Sequence, residues 1–185
     1  MSSFCWRRCD LPGTDCATLT TTETGYLLLG HAQFQDPAGA IDLHYSVQIS
    51  PSWRTEVARV EGSGPHGALR LHIQVRPDGW MLNGDLVPGV ADCIDIDLSF
   101  TPATNLLAIR RLNLAPGQSA DVVAAWLEFP DSRLTPLRQR YERLSELHYG
   151  YRCPDLPFDS VLQVNGAGFV TSYPPLWEPD KSTSR

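Results

Sequence analysis

Three stretches of the chain alternate apolar and polar residues without a break. In Ile41-Asp42-Leu43-His44-Tyr45-Ser46-Val47-Gln48-Ile49 every odd position is apolar and every even one polar. Leu69-Arg70-Leu71-His72-Ile73-Gln74-Val75-Arg76 and Ile94-Asp95-Ile96-Asp97-Leu98-Ser99-Phe100 repeat the pattern. A period of two puts one face of a strand on a core and the other toward water. Weaker strand signals cover residues 26–35, 55–61, 80–86, 106–114, 120–129, 158–164 and 169–173.

Turn chemistry separates these runs. Asp36-Pro37-Ala38-Gly39, Pro77-Asp78-Gly79, Ala115-Pro116-Gly117 and Asn165-Gly166 supply preset or positive φ. Short strands joined by tight turns predict a hairpin meander and no βαβ units. Asn83-Gly84 fits either a hairpin end or a bulge. One stretch departs from the alternation. Thr135-Pro136 reads as a helix start. Leu137, Tyr141, Leu144 and His148 follow at helical spacing with Leu147 beside them, and Gly150 closes the run. This predicts a one-sided amphipathic helix in the last third of the chain, lying on the apolar face of a sheet.

At 185 residues the expectation is one domain over residues 1–178 with a polar, frayed tail at 179–185. A net charge of −6 argues against a general nucleic-acid binder. Lys181 is the only lysine, so the basic side chains suit planar, bidentate anion contacts. Five cysteines cannot all pair within the chain, and Cys5, Cys9 and Cys16 lack a CxxC spacing. Reduced thiols and no metal site are expected. Residues 1–8 hold no signal-like apolar stretch, and no segment nears the ~20 apolar residues that span a bilayer. A cytoplasmic location is therefore expected.

No nucleophile elbow, P-loop or dinucleotide fingerprint occurs, so no catalytic residue and no cofactor is assigned. Arg110-Arg111 is the most informative pair. On a strand, Arg110 would share the face of Leu106, Ala108, Leu112 and Leu114 and would need a partner, for which Asp95 and Asp97 are candidates. The alternatives are a structural ion pair and an anion-binding arginine at a cavity mouth. Asp95 and Asp97 share one face while Asp92 lies with Ile94 and Ile96, which is a poor metal or acid–base set. His31, His44 and His72 are scattered on separate strands, with no HxH or HExxH spacing. Trp6, Trp53, Trp80, Trp126 and Trp177 fit a core, or a cavity for an amphiphile or sugar.

Several blocks, read together, resemble one family. They are Trp6-Arg7-Arg8 with Pro12-Gly13, Leu43-His44-Tyr45-Ser46-Val47 running to Trp53-Arg54-Thr55, and Trp80-Met81-Leu82-Asn83-Gly84. Next come Asp92-Cys93-Ile94-Asp95-Ile96-Asp97-Leu98 and Thr101-Pro102-Ala103-Thr104-Asn105, leading to Ile109-Arg110-Arg111-Leu112. Ala124-Ala125-Trp126 and Tyr173-Pro174-Pro175-Leu176-Trp177 complete the set. The chain is similar over nearly its whole length to the family described as "Putative glycolipid-binding", formerly a domain of unknown function. Glu56 and Ala108 depart from the family pattern, which would have a basic residue and a proline there. The resemblance implies a mainly β fold, a long antiparallel sheet curled as a spiral β-roll around a single α-helix, in a homodimer. It also implies likeness to bacterial lipoprotein carriers, whose curved sheets hold acyl chains.

The expected function is non-catalytic binding of an amphipathic small molecule, glycolipid-like, in the concave interior. Arg110, Asp95, Asp97, Asn105 and Trp126 are the expected ligand-binding residues. One alternative is an enzyme that uses Asp95 and Asp97 on a small polar or lipid-linked substrate. Another is a structural or adaptor dimer with a filled interior.

Overall fold

A computed structural model describes residues 1–181. A nine-stranded antiparallel sheet contains β1 (Ser2–Arg8), β2 (Gly13–Thr22), β3 (Gly25–Asp36), β4 (Gly39–Ile49), β5 (Thr55–Gly64), β6 (Gly67–Arg76), β7 (Gly79–Leu82) and β8 (Asp85–Leu86). These strands follow one another in sequence order, and β15 (Trp177–Pro179) returns to pair with β1 at the near edge. A curled six-stranded sheet holds β9 (Asp95–Leu98), β10 (Ser119–Glu128), β11 (Arg133–Arg143), β12 (His148–Cys153), β13 (Phe158–Val164) and β14 (Val170–Ser172), in the order β14-β13-β12-β11-β10-β9. The expected mainly β architecture, curled around one helix, is what the chain adopts.

Two of the three alternating stretches behave as their pattern dictates; in the third, β9 is covered on both faces and Asp95 is buried. β4 buries Ile41, Leu43, Tyr45, Val47 and Ile49, and β6 buries Leu71 and Ile73. Asn83 and Gly84 have φ of 53° and 97° and end the β7–β8 hairpin, the left-handed pair a tight hairpin turn needs. The two sheets share one apolar core. Trp6 Nε1 donates to the Val170 carbonyl at 2.5 Å, tying β1 to β14. Thr55 Oγ1 accepts from the Ile96 amide at 2.9 Å, tying β5 to β9.

The helix lies elsewhere than its periodicity predicts. Residues 133–143 form β11, and residues 148–153 form β12. Leu137 and Tyr141 are four apart, a spacing that fits a helix face and also one face of a strand. Gln139, between them, is buried at 3% exposure, so a polar residue hides the alternation. Pro136 is tolerated because its nitrogen points away from β10. The amide two residues on, at Arg138, points the same way and donates to Asp155 Oδ2, a side chain, at 2.7 Å.

The single α-helix among the described residues is α1 (Asn105–Leu112), in a segment whose alternation predicts a strand. Residues 105–109 are all buried, which leaves no one-sided stripe to read. Asn113 caps the C-terminus at φ 44°, donating its amide to the Ile109 carbonyl. Arg110 and Arg111 lie in the last turn, where they complement the helix dipole. α1 joins β9 to β10, and those strands are parallel, so one βαβ crossover interrupts the meander.

Two smaller expectations also change. Cys5 and Cys16 face one another across β1 and β2 and are joined by a disulfide, while Cys9, Cys93 and Cys153 are free. Strand pairing brings together two thiols eleven residues apart, which spacing alone does not reveal. Pro179, placed by sequence in a frayed tail, belongs to β15 and pairs with Trp6. Residues 182–185 of that tail lie outside the described residues.

Candidate ligand-binding site

Curling brings residues of one parity onto the concave face of the six-stranded sheet. Asp97 lies beside Trp126, Ala124 opposite Leu137, Tyr141 opposite Tyr151, and Cys153 opposite Phe158. Tyr173 completes a cluster of rings, its centroid 5.7 Å from Tyr151 and 5.7 Å from Phe158. Between these side chains and the start of α1 lies a cleft of about 360 Å³. Trp126, Leu137, Tyr151, Phe158, Tyr173 and Trp177 form its apolar wall, and Asp97, Ser99, Thr101 and Asn105 are its polar points. Such a lining, mostly apolar with a few convergent polar groups, is what a small-molecule site requires.

Two of the polar points, Asn105 and Asp97, are linked by a chain of hydrogen bonds. Asn105 Nδ2 donates to the Tyr141 hydroxyl at 2.8 Å. That hydroxyl donates to Gln139 Oε1 at 3.3 Å, and Gln139 Nε2 donates to Asp97 Oδ2 at 2.6 Å. Burial pushes the Asp97 carboxyl up to about 6, only partly opposed by the Gln139 bond. Oδ1 of Asp97 has no hydrogen bond among the described residues and borders the cleft, so it can take a ligand hydroxyl. Burial also raises the Tyr141 and Tyr151 hydroxyls well above their usual range, so both stay neutral donors.

A second cleft, of about 540 Å³, opens at the other end of α1. Arg110, Arg143, Asn113 and Asn165 line it together with Trp53 and Tyr149. The Arg110 guanidinium lies over Trp53 at 4.9 Å, and Trp53 stacks on Tyr26 at 4.0 Å. Trp53 is held at φ 63°, an uncommon backbone for a bulky residue, by a turn in which Ser50 accepts from the Trp53 amide and donates its own to Arg54. Gly168 makes room for Arg110: at φ 95°, a Cβ there would meet Arg110 Cδ at 2.7 Å. Arg143 is committed to backbone, donating to the carbonyls of Leu114, Ser145 and Glu146. Arg110 makes no hydrogen bond or ion pair among the described residues and is exposed.

Of the residues singled out in the sequence, Asp97, Asn105 and Trp126 meet in the first cleft, and Arg110 stands in the second. Asp95 lines neither. It is buried at 3% exposure and is held by Arg111 Nε, 3.0 Å from Oδ1, and by Nη2 at Oδ2. The aspartate partner expected for Arg110 therefore belongs to its neighbour, because the segment is helical and strand parity does not apply. The ring cluster of Tyr151, Phe158 and Tyr173 escaped the sequence reading, since those residues come from three elements that only the curled sheet unites. The histidines are less scattered than expected: His31 and His44 are directly paired between β3 and β4.

Comparison with known proteins follows the same lines. The profile of a family described as "Putative glycolipid-binding" matches residues 3–179. A crystal structure of a DUF1089 family protein from Pseudomonas aeruginosa is 29% identical, covers 90% of this chain and 92% of its own, and superposes with a TM-score of 0.79. A comparison with curated proteins found no match. With this profile spanning almost every strand and the helix, the chain belongs to the family described as "Putative glycolipid-binding".

Proposed function

We propose that the protein binds an amphipathic ligand, glycolipid-like, without transforming it. The apolar part enters the aromatic cleft against Trp126, Leu137, Tyr151, Phe158, Tyr173 and Trp177. Asp97 and Asn105 meet hydroxyls of the polar end. Arg110, uncommitted at the far end of α1, receives an anionic portion where the ligand has one, and Asp95 enters only as the anchor of Arg111. The observation that carries the reading is the roughly 360 Å³ of aromatic-walled space inside the curled sheet. That space is large enough for a small ligand, since such sites start near ~300 Å³. At ~25 cal/mol per Å², a tail that buries about 350 Å² gains roughly 9 kcal/mol, which corresponds to micromolar binding before ordering costs are subtracted.

The helix is too short to cross a membrane, and no described helix is long and apolar enough to do so. We place the ligand inside the protein, in the cleft of the curled sheet. The homodimer and the cytoplasmic location remain part of the proposal, and sedimentation velocity tests the first. Native mass spectrometry of freshly purified protein tests the binding itself. Bound lipid, or saturable uptake of a fluorescent fatty-acyl probe, is the expected result. Absence of both overturns the reading.

One observation favours a second reading. A carboxyl raised to about 6 in a cleft can take or give a proton near neutral pH, so Asp97 could serve an enzyme acting on a polar or lipid-linked substrate. Turnover abolished by Asp97→Asn in a folded protein would establish it.

A further inference from the structure

The outer face of the nine-stranded sheet, opposite the core, carries a separate constellation. His31 on β3 and His44 on β4 are register partners, and Asp42 on β4 is paired with Gln33. The two imidazoles stack with centroids 4.0 Å apart and planes 7° from parallel. Asp42 Oδ1 lies 2.8 Å from His31 Nε2 and 3.8 Å from His44 Nε2. One ligand atom from each of the three residues lies within 4.8 Å of the others. We propose that His31, Asp42 and His44 bind a first-row divalent transition-metal ion, of which zinc is the reference case.

The donor chemistry supports this. Two imidazole nitrogens and one carboxylate oxygen are a borderline set that suits zinc, nickel or copper and is poor for calcium or magnesium. Three protein donors leave a fourth position for water or an external ligand, the open arrangement of a tetrahedral site. Gln33 Nε2 donates to the other carboxylate oxygen, Oδ2, at 2.7 Å, and so orients Asp42 from behind. β3 and β4 are paired along their whole length, which fixes the spacing of the donors. Parallel rings must tilt toward one another to share an ion. The His44 side chain is 68% exposed and is free to do so.

An isolated aspartate–histidine hydrogen bond would account for His31 alone. It does not account for the second ring, two residues along the strand of Asp42 and 3.8 Å from the same oxygen, or for the glutamine behind the carboxylate.

Isothermal titration of untagged protein with zinc chloride, in a Cys9→Ser background that removes the exposed thiol, tests the site. Saturable one-to-one binding with Kd below ~100 μM is expected. His31→Ala and His44→Ala should each weaken it by more than ~10-fold and Gln33→Ala by about 10-fold, while His72→Ala, on the same face of β6, should leave it unchanged. All four positions face solvent, and circular dichroism checks that the variants fold. In the unsubstituted protein, zinc should shift the imidazole NMR signals of His31 and His44 and leave those of His72 in place. No saturable binding, or binding that survives loss of either histidine, overturns the assignment.

Discussion

Arg111 grips Asp95 through Nε, 3.0 Å from Oδ1, and through Nη2 at Oδ2, while Arg110, the next residue, lays its guanidinium over Trp53 at 4.9 Å. At 3.6 residues per turn, neighbours on a helix diverge by about 100°, so the two arginines serve different partners. The Asp95 and Arg111 side chains are only 4% and 16% exposed, whereas Arg110 is exposed. Removing Arg111 leaves a buried carboxylate alone, and such losses cost roughly 3–5 kcal/mol. Arg111→Ala should lower the unfolding free energy in urea by that amount. Arg110→Ala loses a cation–π contact and should cost about 1 kcal/mol or less.

Asp15 makes the fold sensitive to pH. It is fully buried in β2, accepts hydrogen bonds from Tyr45 at 3.0 Å and from Thr101, and burial pushes its carboxyl up to about 7. A folded pKa above the unfolded one means that the folded state binds the proton more tightly. The stabilisation is then complete below about pH 4 and fades as pH rises through 7. Between pH 5 and pH 8 the parent should lose a few kcal/mol relative to Asp15→Asn. Equal pH profiles of unfolding for the two would contradict this.

Gly30 is what lets Tyr45 reach Asp15. A Cβ at Gly30 would lie 2.0 Å from Tyr45 Cζ. Gly30→Ala should therefore displace the ring and destabilise by roughly 1–3 kcal/mol, the usual range for overpacking. A chemical-denaturation curve superimposable on that of the parent would exclude the contact.

The strands that were legible in sequence are those whose inward positions are all apolar. β4 and β6 read directly because no polar side chain interrupts Ile41 to Ile49 or Leu69 to Val75. β11 did not, because Gln139 points inward to Asp97 and Leu137 and Tyr141 satisfy two periods at once. α1 is eight residues long and packed around most of its first turns, so neither length nor one-sidedness marks it. Part of the site was legible as well. Asp97, Asn105 and Trp126 stand in the sequence blocks that carry the family likeness. The ring cluster opposite them depends on how far the sheet curls, which no local pattern encodes. The His31–His44 pair did leave a signal. The turn at Pro37 and Ala38 pairs Asp36 with Gly39, and counting equally back and forward from there meets the two histidines.

The thiols give a chemical count. With Cys5 and Cys16 joined, protein unfolded without reductant should titrate three thiols, Cys9, Cys93 and Cys153, and reduced protein five. Five thiols before reduction would show that Cys5 and Cys16 are not bonded.

The central claim is that the curled sheet offers its aromatic cleft to an amphiphile. Calorimetric titration with dodecyl maltoside, kept below its micellar concentration, probes the cleft with a sugar head and one acyl-like tail. Leu156 lies at the cleft and is 40% exposed, so Leu156→Asp can place a charge there in a folded protein. The account predicts saturable one-to-one binding to the parent, weakened at least ~10-fold by Leu156→Asp and by Trp126→Ala, since each removes or opposes more than ~1.4 kcal/mol of apolar contact. Heats no larger than dilution for the parent, or binding indifferent to both substitutions, would contradict it.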